Sequence, residues 1–209
     1  MKHLLIIGAR GYGREMYHLA TQCKGYGKEW DIRGYLDDKY DALEGFEGYP
    51  PIIDSVENYV ASESDVFCCA LGSVIYKEKY INLIVSKGGS FINLIHPTVL
   101  INPNTKLGKG LILCAYSFIS NDVTIGDYVT IQNHCTLGHD VEIGDYCQIN
   151  AYSFFGGWCK VHKSVTVNAS ATIIDRRTIG ENATIGAGSV VIRNVKPGLT
   201  LFGNPAREI

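Results

Sequence analysis

The sequence predicts an α/β plus β chain: a small parallel α/β domain over residues 1–93, then a parallel β-helix over residues 94–209. Two patterns carry this. Short apolar runs alternate with helical stretches in the first part, and an aliphatic residue recurs every six positions in the second. Composition agrees. Glycine is abundant at 23 residues and proline scarce at 6, so the glycines serve backbone geometry rather than filling low-complexity sequence.

The first strand is Leu4-Leu5-Ile6-Ile7, and it runs into Gly8-Ala9-Arg10-Gly11-Tyr12-Gly13-Arg14-Glu15. A helix follows over Met16–Cys23. Asp31–Leu36 reads as a second strand ending at Asp37-Asp38, and Val66–Leu71 as a third ending at Gly72-Ser73. A second helix covers Tyr76–Ser86. Strands alternating with helices imply a parallel sheet. Glycines at a strand-to-helix turn let a phosphate approach backbone N–H groups and the positive end of the helix dipole. The spacing is G-x-x-G-x-G rather than G-x-G-x-x-G. Asp37 follows Gly13 at a strand end, where a ribose-binding acid would sit. A domain of this size suits half of a dinucleotide site, binding one nucleotide moiety.

From Ile101 to Val191, sixteen positions spaced by six hold fifteen aliphatic residues and Phe155, with no insertion. A period of six fits neither a helix nor a hairpin; it specifies hexapeptide coils, three hexads to a coil. The anchors point into a narrow prism, and positions three hexads apart stack. Gly follows the anchor at seven positions (Gly108, Gly126, Gly138, Gly144, Gly156, Gly180 and Gly186), where it is expected to supply positive φ at the corners. Four positions after each anchor come mostly small or β-branched side chains, and Cys135, Cys147 and Cys159 belong to that series.

Formal charge is −2, from 19 basic and 21 acidic residues, which argues against a nucleic-acid partner. The most apolar stretch, Leu111–Ile119, is far shorter than the roughly 20 residues of a membrane span, so no membrane insertion is expected. Seven cysteines with no C-x-x-C pair indicate a reduced, cytoplasmic protein. His134 and His139 are five apart, but the third position of a β-helix zinc site is Thr98, so no metal is expected.

The repeat and the ending Phe202-Gly203-Asn204-Pro205-Ala206 resemble the hexapeptide-repeat acyltransferases. With the GARGYGRE loop and the Gly34-Tyr35-Leu36-Asp37-Asp38 segment, the whole chain resembles their NeuD/PglD-type sugar acetyltransferases. The resemblance implies a Rossmann-like N-terminal domain, a left-handed β-helix, a homotrimer and acetyl-CoA as co-substrate. It implies N-acetylation of a UDP- or dTDP-linked 4-amino-dideoxyhexose. The alternatives are O-acetylation of a sugar such as sialic acid, or a non-catalytic nucleotide-sugar-binding solenoid. Carried over by position, Gly8, Arg10 and Gly11 line the phosphates or ribose, and Asp37 and Asp38 hold the base or ribose. Gly157, Ala187, Asn204 and Pro205 face acetyl-CoA.

The same resemblance makes His139-Asp140 the catalytic pair. An imidazole is a suitable base for an amine or hydroxyl attacking a thioester, and a carboxylate fixes its tautomer. Three hexads beyond His139 stands Gly157, whose N–H is placed to donate to the oxyanion, as in the family. Two positions depart from the family. Gln148 replaces a second His nine positions after the base and is the expected substrate contact there; Gln132 replaces an Asn seven positions before it.

Overall fold

A computed structural model describes residues 1–209, which divide into two compact units, Met1–Pro97 and Thr98–Ile209. The first contains β1 (Lys2–Ile7), α1 (Gly11–Gln22), β2 (Trp30–Leu36), β3 (Ile52–Asp54), β4 (Asp65–Cys69), α2 (Val74–Ser86) and β5 (Ser90–Phe91). All five strands run parallel in the order β3-β2-β1-β4-β5. Leu4 to Ile7 and Val66 to Cys69 are buried, as central strands covered on both faces must be. Strands β3 and β5 are too short to leave a sequence pattern. Helix α1 starts at Gly11, ahead of the expected Met16, because the glycine-rich segment itself enters the helix. Because β2 lies on one side of β1 and β4 on the other, the order reverses at β1, which opens a crevice at the strands' carboxyl ends.

In the second unit each hexad forms a two-residue strand and a corner, and the strands stack into three parallel sheets. Phe118 pairs with Thr136, and Thr136 with Phe154, a step of three hexads each time. Strand N–H groups bond forward into the next coil, as from Thr136 to Ser153 O at 3.0 Å. Corner N–H groups bond back into the preceding coil, as from Asp140 to Asn121 O at 3.2 Å. The anchors Ile119, Leu137, Phe155 and Ile173 are wholly buried in the prism.

The corner backbone corrects one expectation. Positive φ falls two positions after the glycine slot, at Asn104, Tyr116, Asp122, Tyr128, His134, Asp140 and onward in the same register to Asn182. The glycines beside the anchors are needed for space instead. A Cβ on Gly138 would stand 2.8 Å from Phe155 O, and one on Gly144 2.8 Å from the His162 carbonyl carbon. The next coil passes where that carbon would be.

The small-residue slot also has a bonding role. Ser117 Oγ donates to Gln132 O at 2.8 Å and Ser153 Oγ to Asn168 O at 3.2 Å. In the same slot, the thiols of Cys135, Cys147 and Cys159 donate to Asn150 O, His162 O and Ile174 O at 3.2, 3.0 and 3.1 Å. Burial raises the Cys135 thiol to about 11. These are structural hydroxyl substitutes, not nucleophiles. The last coil is shortened: Thr184 pairs with Thr200 rather than with a residue three full hexads on, before Arg207–Glu208 turns back antiparallel. No helix is long and apolar enough to cross a membrane.

Gly144→Ala is expected to lower stability by about 1–3 kcal/mol, because backbone must move to admit its Cβ. Gly188, at φ 66 with open space around its Cα, occupies the positive-φ column that Asn182 also occupies, so Gly188→Asn is expected to change stability by less than about 0.5 kcal/mol. Thermal denaturation of the two variants checks both.

Candidate active site

Within the first unit, the crevice at the strand ends is a cavity of about 470 Å³. Gly8, Arg10, Asp37 and Asp38 line it from one side, and Gly72 and Ser73 from the other. Helices α1 and α2 both begin at this cavity, and neither has a side-chain cap on its first N–H groups. Two uncapped positive helix ends at one cavity favour a phosphate-bearing ligand.

The three loop glycines have separate tasks. Gly8 has φ +96, and a Cβ there would meet Leu71 Cδ2 at 2.9 Å and Ala70 O at 3.0 Å. A Cβ on Gly13 would overlap Gly8 O, so only glycine lets α1 pack this close to the loop. Gly11 has open space around its Cα, which leaves the loop backbone approachable.

Asp37 and Asp38 are adjacent but differently placed. The Asp37 side chain is 6% exposed and accepts the Ala9 N–H at 2.8 Å and the Lys39 N–H at 3.0 Å. It shapes the loop from below. Asp38 is 72% exposed and reaches Arg10 at 3.5 Å, which leaves it open to a ligand.

In the second unit, His139 and Asp140 share a corner between the sheet containing Thr136–Leu137 and the sheet containing Glu142–Ile143. Their imidazole Nδ1 and carboxylate Oδ2 lie 2.8 Å apart. Neighbouring side chains on a strand diverge, but φ 59 at Asp140 turns its carboxylate back to the ring. With Nδ1–H donating to the carboxylate, Nε2 is the basic nitrogen.

One coil on, Gly157 faces that nitrogen. A Cβ on Gly157 would stand 2.7 Å from both Nε2 and Cε1 of His139. The N–H groups on either side of it are used: Gly156 donates to Ile173 O at 2.9 Å and Trp158 to His139 O at 3.0 Å. The Trp158 indole meets the His139 ring edge-to-face, with centroids 4.3 Å apart and planes at 89°. The corner thus holds an imidazole, a carboxylate and a glycine backbone within one coil height.

Comparison with known proteins agrees with both units. Residues 3–84 match the PglD N-terminal domain, and residues 122–157 match the bacterial transferase hexapeptide repeat. The first unit is thus similar to the PglD N-terminal domain, and the middle of the second unit to the bacterial transferase hexapeptide repeat. PerB from Caulobacter crescentus, solved in complex with CoA and GDP-perosamine, is 23% identical with a TM-score of 0.89, over 100% of this chain and 98% of that one. The acetyltransferase domain of PglB from Neisseria gonorrhoeae is 24% identical with a TM-score of 0.88, over 100% of both chains. At such identity these structures establish the fold, a parallel α/β domain followed in the chain by a left-handed β-helix. Serine acetyltransferase of Buchnera aphidicola is 30% identical over 117 residues, 55% of this chain. The chain spans 39% of that relative's length.

Not every expected residue gathers at His139. Gln148 is buried on the third sheet, opposite the His139 corner, where its Nε2 donates to Asn150 Oδ1 at 2.9 Å. Within one chain it does not reach the His139 ring. Gln132 accepts the Ala151 N–H at 3.2 Å. Ala187 lies at another corner, and the Gly203 N–H donates to Ser189 Oγ there at 3.0 Å, which sets Asn204 and Pro205 beside it. His134 is stacked between Tyr116 and Tyr152, with centroids at 5.2 and 4.9 Å, at a corner away from His139. Sequence patterns do not single out Trp158, Ser73 or Glu57, which lines the same cavity as Ser73. Only coil stacking flags Trp158.

Gly13→Ala is expected to cost about 1–3 kcal/mol by driving α1 off the loop. Gly11→Ala, with room for its methyl, is expected to be neutral or to stabilise by up to about 1 kcal/mol. Urea denaturation of the two variants compares them directly.

Proposed function

We propose that the protein is an acetyl-CoA-dependent N-acetyltransferase acting on a nucleotide-linked amino sugar. The observation that carries this reading is the His139–Asp140 pair at 2.8 Å with the free edge of the imidazole turned toward Gly157. The crevice of the first unit, with two helix ends and the open Asp38, supplies the nucleotide site.

In the reaction the sugar amine attacks the thioester carbonyl of acetyl-CoA. His139 Nε2 takes the proton released as the new C–N bond forms, and Asp140 stabilises the imidazolium. The Gly157 N–H donates to the oxyanion. Collapse of the tetrahedral intermediate breaks the C–S bond, and CoA leaves as thiolate and is reprotonated. Ala187, Asn204 and Pro205 contact acetyl-CoA from a corner other than that of Gly157. A homotrimer, in which the donor lies between neighbouring copies, unites the two corners. In this reading the protein works in the cytoplasm, and no metal takes part.

The amine sits at C4 of a dideoxyhexose carried on UDP or dTDP. PerB, solved with GDP-perosamine, adds GDP to the carriers worth testing. The serine acetyltransferases among the relatives favour a second reading, O-acetylation, with a hydroxyl in the place of the amine.

A mass-spectrometric screen of acetyl-CoA with UDP-, dTDP- and GDP-linked amino sugars is expected to show one N-acetylated product, stable to mild alkali. An ester that alkali cleaves would establish O-acetylation instead, and nucleotide-sugar binding with no CoA release would leave only the binding solenoid. His139→Ala is expected to lower turnover by about 10²–10⁴-fold. Near-wild-type activity in that variant removes His139 from the mechanism.

A further inference from the structure

We propose that Trp158 is a positioning residue that fixes the plane of the His139 imidazole, clamped in turn by Arg176; this rests on the reading of His139 as the base. Three successive coils contribute, stacked at one corner. The Nδ1 side of the ring is tied to Asp140 at 2.8 Å, but a single hydrogen bond leaves the ring free to rock about it. The Trp158 indole stands at 89° to the imidazole with centroids 4.3 Å apart, which blocks that motion. Edge-to-face packing of this kind fixes orientation as well as burying area.

The indole would be a poor stop if it were itself loose, since it is 45% exposed. Two contacts hold it. Its own backbone has φ 58 and its N–H donates to His139 O at 3.0 Å, which locks the residue to the coil of the base. On its ring lies the Arg176 guanidinium, 4.2 Å from the centroid, within cation–π range. Arg176 is placed by its N–H bond to Gly157 O at 2.9 Å and by the Asp175 carboxylate 3.7 Å from its Nε. The order of support is therefore Asp175, Arg176, Trp158, His139.

The need for such a clamp follows from Gly157. A glycine beside the base provides the room for a thioester, but it also removes the side chain that would otherwise hold the ring. A base that must meet a proton within a few tenths of an ångström loses rate quickly when its ring wanders. Trp158, the next residue, restores the restraint without filling the space.

The test is steady-state kinetics with the sugar nucleotide that the wild type acetylates, alongside the His139 ring signals in NMR spectra. Trp158→Ala is expected to lower kcat by roughly 10-fold or more, with KM for acetyl-CoA and for sugar within about twofold; Trp158→Phe is expected to recover most of the loss. In the unliganded protein, Trp158→Ala is expected to shift the His139 ring protons through loss of the indole ring current and to broaden them. Arg176→Met leaves the indole in place but unclamped and is expected to lower kcat by a few-fold, so a Trp158→Ala chain that failed to fold would not end the test. An unchanged kcat in the folded variants, or a loss confined to KM for acetyl-CoA, overturns the proposal. If His139→Ala itself keeps activity, it is the reading of the base that fails, while the NMR comparison still decides whether the indole holds the ring.

Discussion

The spacing between coils governs the second half of this protein. Strand amides such as Thr136 N–H bond forward to the next coil, and corner amides such as Asp140 N–H bond back to the preceding one. The backbone is thereby bonded to itself at a fixed step of three hexads. The remaining features adapt to that step. Glycine stands where the next coil passes closest, a hydroxyl or thiol caps a carbonyl of the next coil, and an aliphatic anchor fills the axis. What stands beside what is set by arithmetic along the chain rather than by long-range folding choices. His139 and Gly157 are neighbours for that reason.

The first unit solves a different problem. Its sheet order reverses at β1, so the chain cannot close over the carboxyl ends of the central strands. Both helices begin there with open N–H groups, and the loop between β1 and α1 is held from beneath by Asp37. Glycine has a distinct purpose in each unit. In the first it bends one turn and lets a helix approach; in the second it lets whole coils lie against each other.

How far the sequence can be read depends on whether a feature repeats. The anchor register is legible through sixteen hexads, and with it the stacking that brings Gly157 under His139. The central strands β1 and β4 are legible as unbroken apolar runs. Positive φ is not legible at the right corner residue, because glycine content signals both left-handed backbone and lack of room, and here the second cause prevails. The start of α1 is hidden because glycines that usually end helices here begin one. Linear spacing groups Gln148 with His139, but their separation is one and a half hexads, which carries Gln148 to the opposite sheet. Trp158 is tied to the His139–Asp140 corner only through the coil step, and no local motif marks it.

The fixed step also restricts how such a chain can change length. One or two extra residues taken up within a coil would turn every later anchor out of the prism. A whole extra hexad would keep the anchors inside yet rotate all that follows by one face, parting His139 from Gly157 if it fell between the two. Only a whole coil restores both, and one inserted between those residues would still separate them along the axis. Insertions and deletions taken up within the coils, rather than looped out at a corner, therefore come in quanta of one full coil, and only outside the His139–Gly157 interval. Growth belongs to the ends of the solenoid, where the shortened last coil already departs from the rule.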